Sequence, residues 1–205
     1  MLSYEETLAS NVQLAFNEGS MHFENESGVH KTLDRIVREL DELGIPYCIV
    51  GGMAMFFHGY RRFTEDVDLL VTQQGLDEIH QRLVGHGYLP PFEGSRNLRD
   101  TETGVRIEFL VTGAFPGDGK PKPVSFPSPQ DTAIIIDGKS FVTLPKLIEL
   151  KLASGMTNPR RVRDLADVQE LIAALGLNDD LAAELNESVR SKYHELCQIV
   201  RDFPE

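Results

Sequence analysis

Apolar residues between positions 27 and 43 recur with the period of a helix. Leu33, Ile36, Val37, Leu40 and Leu43 form one stripe, and Gly44 stops it. Pro46 then opens a short apolar run, Tyr47, Cys48, Ile49 and Val50, closed by Gly51 and Gly52. A run so short, ended by glycines, predicts a buried strand. A helix start follows from Met53 to His58, and residues 66–71 predict a second strand. Residues 75–85 predict a helix with Leu76, Ile79 and Leu83 inward. From Val105 to Val111 the chain alternates: Val105, Ile107, Phe109 and Val111 face one way, Arg106 and Glu108 the other. Residues 112–130 hold five prolines and three glycines. They predict a long irregular loop, mobile without ligand and close to a functional cleft. Residues 132–136 and 141–144 flank Asp137-Gly138, a tight hairpin turn.

From Pro145 onward helices are predicted over 145–154, 159–174 and 179–199. Arg160 precedes Asp164, and Arg163 precedes Asp167, by the four residues of a helix-surface ion pair. At the other end, residues 3–16 predict a short helix with Tyr4, Leu8, Val12 and Ala15 on one side. Residues 17–25 are polar, contain Gly19 and read as a linker. The order predicts an α/β (α+β) chain: a small mixed sheet flanked by helices, with a C-terminal helical segment. It divides into an N-terminal helix and linker over 1–26, a core over 27–143 and the helical segment over 144–205.

Composition narrows the function classes. In 205 residues, 20 Lys and Arg oppose 32 Asp and Glu, a net charge of −12, which argues against dedicated DNA binding. The only cysteines, Cys48 and Cys197, stand far apart, so neither a disulfide framework nor a structural zinc site is expected, and Cys48 reads as a small core residue. With neither a secretory leader nor an apolar run of membrane length, the expected compartment is cytoplasmic. His58 reads as a half-buried helix histidine.

Candidate chemistry lies in three places. Gly51 and Gly52 end a buried strand and open a helix, where backbone N–H groups favour phosphate; a tight strand-to-helix turn has the same appearance. Asp66 and Asp68 flank Val67 on a strand, so both carboxylates face one side with Cα atoms roughly 6.6 Å apart. Side by side they repel, and a divalent cation is a natural compensation; a solvated strand edge is the plainer alternative. Glu108 lies on the polar face of its own strand. It becomes a third carboxylate if that strand neighbours residues 66–71, and is ordinary surface otherwise. Between Leu144 and Arg163 stand Lys146, Lys151, Arg160, Arg161 and Arg163 against one acid, Glu149, a cluster suited to a triphosphate or an RNA end, or to a solvated helix pair.

The segment GIPYCIVGGMAMFFHGYRRFTEDVDLLV carries the glycine pair, Arg62, Thr64 and the D-x-D in one order. With LPKLIELKLASGMTNPRRVRDLADVQELI it resembles the nucleotidyltransferase fold of the DNA polymerase β type, in particular its minimal, abortive-infection toxin branch. The likeness runs from about Gly44 to Ile172. It implies a core that transfers a nucleoside monophosphate from an NTP to an acceptor hydroxyl, on a tRNA end or a protein side chain, and a place within a toxin–antitoxin pair. By the same resemblance, Asp66, Asp68 and Glu108 would hold Mg²⁺ or Mn²⁺. Gly51, Gly52, Arg62 and Thr64 would bind the nucleotide, Lys151 would contact phosphate, and Asp164 would match the last acidic position, with Asp167 competing for it. A lysine amid leucines must reach water or an anion, and its stem is replaceable, so Lys151→Met is expected to keep the fold. The alternative function is a non-catalytic module that binds nucleotide or a partner toxin, to be expected if Glu108 points away from the D-x-D.

Overall fold

Helix α1 (Tyr4–Ser10) starts at a capping box: Ser3 Oγ accepts from the Glu6 N–H at 3.1 Å, and the Ser3 N–H donates to Glu6 Oε2 at 2.8 Å. In this computed structural model, which describes residues 3–203, α2 (Val12–Phe23) follows at once, capped by Asn11. Most of the stretch read as a linker is therefore helix. Gly19 costs that helix about 1 kcal/mol, and the burial of His22 with the partial burial of Leu14 and Ala15 outweighs it. Helix α3 (Gly28–Leu43) is capped by Ser27 and ended by Gly44 at φ +67°, and it buries Leu33, Ile36, Val37 and Leu40.

The next elements are β1 (Tyr47–Val50), α4 (Gly51–His58), β2 (Asp66–Val71) and α5 (Gln73–Leu83). Two short strands follow that sequence periodicity did not reveal, β3 (Tyr88–Leu89) and β4 (Leu98–Asp100); at two and three residues they are too short to carry a period. They lead into β5 (Arg106–Val111). A short α6 (Pro129–Thr132) precedes the hairpin of β6 (Ala133–Ile136) and β7 (Lys139–Val142), turned by Asp137 at φ +48° and Gly138 at φ +75°. The chain closes with α7 (Leu144–Thr157), α8 (Val162–Leu175) and α9 (Glu187–Asp202), joined by 3-10 turns at Pro159–Arg161 and Asp179–Glu184.

The strands form one mixed sheet in the order β3-β4-β5-β2-β1-β7-β6. β2 runs antiparallel to β1 and parallel to β5, and the register sets Asp66 beside Arg106 and Asp68 beside Glu108. β1 is buried at every position, and Cys48 packs there with its thiol on the Pro129 carbonyl at 3.1 Å. His58 is half-buried and bonds the Val142 carbonyl at 2.7 Å. Helices α7, α8 and α9 pack together, and α7 reaches α4. The proline-rich loop is irregular but not slack: the Gly113 N–H donates to Phe126 O, the Phe126 N–H donates to Ala114 O (both 2.8 Å), and Asn158 Nδ2 ties Gly117 O to the end of α7 at 3.1 Å. Among the described residues no helix is long and apolar enough to cross a membrane.

Candidate active site

β2 begins with its two carboxylates half-buried around a fully buried Val67, as period two dictates. Because β5 pairs with it in parallel, Glu108 stands level with Asp68 on the same face. One oxygen from each of Asp66, Asp68 and Glu108 lies within 4.8 Å of the others. All three donors are hard oxygens, which suits Mg²⁺ or Mn²⁺ rather than zinc, so the triad could hold such an ion. The carboxyl of Asp68 is pushed well above the usual carboxylate range, first by burial and then by its two acidic neighbours.

The glycine pair fits tightly against this triad. Gly51 sits at φ +63°, and a Cβ there would stand 1.8 Å from Asp68 Oδ2. At Gly52 a Cβ would lie 2.8 Å from Thr64 Oγ1, the hydroxyl that donates to Asp66 Oδ1 at 2.9 Å. Thr64 thus fills the space beside the second glycine and orients the first carboxylate. The first turn of α4 has no side-chain cap, and backbone N–H groups at a helix start favour an anion.

Two cavities meet at Asp68 and Glu108. One, of about 570 Å³, is walled by Gly51, Gly52, Arg62, Arg160, Arg161 and Arg163. The other, of about 520 Å³, is walled by Leu110, Phe115 and Phe126, so the proline-rich loop supplies part of the site. Lys151 borders both cavities. Its ammonium is buried, donating to Asp167 Oδ2 at 2.6 Å and to Asp164 Oδ1 at 3.3 Å.

Asp164 and Asp167 are not surface partners of Arg160 and Arg163. They continue the buried face of Val168 and Leu171 and turn toward α7. Asp167 also accepts from Arg62 Nη2 at 3.0 Å. Asp164 accepts from Ser154 Oγ at 2.6 Å and Arg161 Nε at 2.9 Å. Burial alone would raise its carboxyl; Lys151, the Ser154 hydroxyl and Arg161 together hold it below the usual range. Both acids thus hold side chains that line the cavities: Lys151 and Arg161 on Asp164, and Lys151 and Arg62 on Asp167.

Sequence reasoning passed over one residue in the middle of the triad. Arg106, read as the polar face of a strand, places Nη2 at 2.9 Å from Asp66 Oδ2 and 3.1 Å from Glu108 Oε1. Its signal was available: it lies two residues before Glu108, on the same face.

No family model matches the chain, and no curated protein matches its sequence. Among solved structures, the crystal structure of ANT(2″)-Ia in complex with adenylyl-2″-tobramycin is similar at TM-score 0.52 and 15% identity, over 80% of this chain and 96% of that one. The solution structure of the antibiotic-resistance factor ANT(2″)-Ia gives TM-score 0.51 at 16% identity, over 83% and 96%. The architecture these structures share with the seven-stranded sheet and its flanking helices is the nucleotidyltransferase fold, and this chain has it.

Proposed function

We propose that the protein is a metal-dependent nucleotidyltransferase that moves an NMP from an NTP to an acceptor hydroxyl. The observation that carries this reading is the acidic triad, closed to within 4.8 Å where a cavity walled by Arg62, Arg160, Arg161 and Arg163 meets one walled by Leu110, Phe115 and Phe126. Asp66, Asp68 and Glu108 would hold Mg²⁺ or Mn²⁺, which would supply Lewis-acid activation of the α-phosphate and charge neutralisation in the transition state.

The triphosphate lies in the cavity walled by Arg62, Arg160, Arg161 and Arg163. The N–H groups of Gly51 and Gly52 cradle it, and Arg62, Arg161 and Lys151 supply positive charge. Arg161 is the more exposed of these, with Nε held by Asp164 and its terminal nitrogens left for a phosphate. Lys151 acts from inside its ion pair, and Asp164 and Asp167 position it. Thr64 keeps Asp66 oriented, and Glu108 accepts the proton of the attacking hydroxyl. The acceptor enters opposite the leaving pyrophosphate, from the cavity lined by Phe115 and Phe126.

For the acceptor we propose a tRNA end or a protein side chain, in a toxin–antitoxin setting. The hydroxyl named in the ANT(2″)-Ia complex, on tobramycin, adds a small aminoglycoside-like polyol as a candidate. The test is direct. The protein is incubated with each labelled NTP, Mg²⁺, and total tRNA, cell lysate or tobramycin. Label transfer that disappears in Asp66→Asn supports the reading; nucleotide binding without transfer in any arm favours a non-catalytic module.

A further inference from the structure

The metal-binding reading leaves Arg106 without a part, although it touches two of the three carboxylates. We propose that Arg106 is the site's internal counter-cation: divalent metal displaces it, and Glu5 of α1 receives it. This inference rests on the metal reading of the triad proposed above.

The geometry has three components. First, a single nitrogen, Arg106 Nη2, lies at 2.9 Å from Asp66 Oδ2 and 3.1 Å from Glu108 Oε1. It therefore draws on the same carboxylates that would coordinate the ion. Mg²⁺ needs its oxygens at about 2.0–2.1 Å. A guanidinium and a dication on the same carboxylates repel strongly in a partly buried site, so occupancy by one opposes the other. Second, the opposite edge of the guanidinium is unfinished. Arg106 Nε is buried and has no hydrogen-bond partner among the described residues.

Third, a carboxylate waits on that edge. Glu5 Oε1 stands 3.8 Å from Arg106 Nε, too far for a hydrogen bond but close enough for a shift of about 1 Å to make one. Glu5 is itself held in place: its Oε2 accepts from Arg99 Nη1 at 2.9 Å, and the Tyr4 N–H bonds the Gly104 carbonyl at 3.3 Å. Helix α1 is thus fastened to the start of β5, beside the catalytic carboxylates. Arg106 has one set of partners inside the site and one outside it. Metal entry exchanges the first for the second, and α1 becomes part of the catalytic apparatus.

Two consequences follow by linkage. Arg106 weakens metal binding, since its release opposes it, and Glu5 strengthens metal binding, since it stabilises the released guanidinium. Arg106 is here a positioning residue; it touches neither substrate nor the reacting atoms.

The test is calorimetric titration of the full chain with Mn²⁺, and with Mg²⁺, in wild type, Arg106→Gln, Glu5→Gln and the double variant. We expect Arg106→Gln to bind metal about tenfold tighter than wild type, and Glu5→Gln to bind it several-fold weaker. The double variant should match Arg106→Gln, because Glu5 acts only through the arginine. Thermal melting gives a second readout that does not need activity. Without metal, Arg106→Gln should melt lower than wild type, and saturating Mg²⁺ should raise its melting temperature more than that of wild type. If Arg106→Gln is too unstable to titrate, Glu5→Gln alone decides. Unchanged or weaker metal binding in Arg106→Gln, or unchanged binding in Glu5→Gln, overturns the exchange while the metal reading stands. If no form binds metal and Asp68→Asn behaves as wild type, the metal reading itself falls, and the exchange with it.

Discussion

Gly51 approaches Asp68 so closely that a Cβ on the glycine would stand 1.8 Å from the Asp68 Oδ2. The backbone of the strand-to-helix turn is the floor on which that carboxylate rests. Gly51→Ala must move one or the other, and at φ +63° it also pays about 1 kcal/mol of left-handed strain. We expect a fall in stability of about 1–3 kcal/mol in urea unfolding and complete loss of nucleotidyl transfer. An alanine variant with wild-type transfer would mean that Asp68 need not stay where it is.

A serine at position 52 meets Thr64 instead. Its Cβ would lie 2.8 Å from Thr64 Oγ1 and 2.9 Å from Thr64 Cβ. Gly52→Ser alone is expected to displace Thr64 from Asp66 and lower activity. Gly52→Ser with Thr64→Ala should recover part of the stability lost by Gly52→Ser, giving non-additive free energies. Additive losses in the double-mutant cycle would separate the two residues.

Lys151→Met should cost more than its replaceable stem suggested. The ammonium is shared by two buried carboxylates, Asp164 and Asp167, which would be left short of a cation. Removing one partner of a buried ion pair costs about 3–5 kcal/mol. Arg161 and Arg62 still serve the two acids, so the lower end is expected. Chemical denaturation measures this directly; a midpoint equal to wild type would show that the pair contributes nothing to the fold. Lys151→Met with Asp164→Asn and Asp167→Asn should be more stable than Lys151→Met alone.

His30 predicts an acid limb of stability. It is buried, with Nδ1 on Ser27 Oγ at 3.0 Å and Nε2 without a partner among the described residues. Burial first, and then neighbouring His22, push its pKa down to about 4. The unfolded chain takes up this proton near pH 6.5, before the folded one does. The contribution is therefore full above about pH 6.5 and shrinks as pH falls toward 4, by on the order of 3 kcal/mol. Unfolding free energies of wild type and His30→Leu between pH 7 and 4 isolate it. Parallel curves would remove His30 as the cause.

How much of this was legible in the sequence depends on the range over which each signal acts. Asp66 and Asp68 were legible as a pair because period two puts same-face residues at fixed spacing, whereas Glu108 was a candidate that only the pairing of β5 with β2 joins to them. Arg106 obeys the same period but resembles any surface arginine; only the pairing of β5 with β2 gives it acidic neighbours. The surface pairing of Asp164 with Arg160 and of Asp167 with Arg163 is favoured by local spacing, yet the packing of α8 on α7 turns both acids inward instead. The helix over 12–23 was hidden by Gly19 and a polar face, since what buries His22 lies far along the chain.

The parallel pairing of β2 with β5 has a kinetic consequence. Asp68 and Glu108 are forty residues apart in the chain and are joined by a crossover that includes α5, β3 and β4. Parallel neighbours of such separation close late, because the loop entropy is lost before the contact forms. A chain emerging from the ribosome with β1 and β2 complete carries the D-x-D but not its third carboxylate. The triad and its arginine therefore come together only when β5 pairs with β2, and the cavities wait further for Lys151, Arg161 and Asp164 from the helices beyond it, so a partly synthesised chain lacks the site.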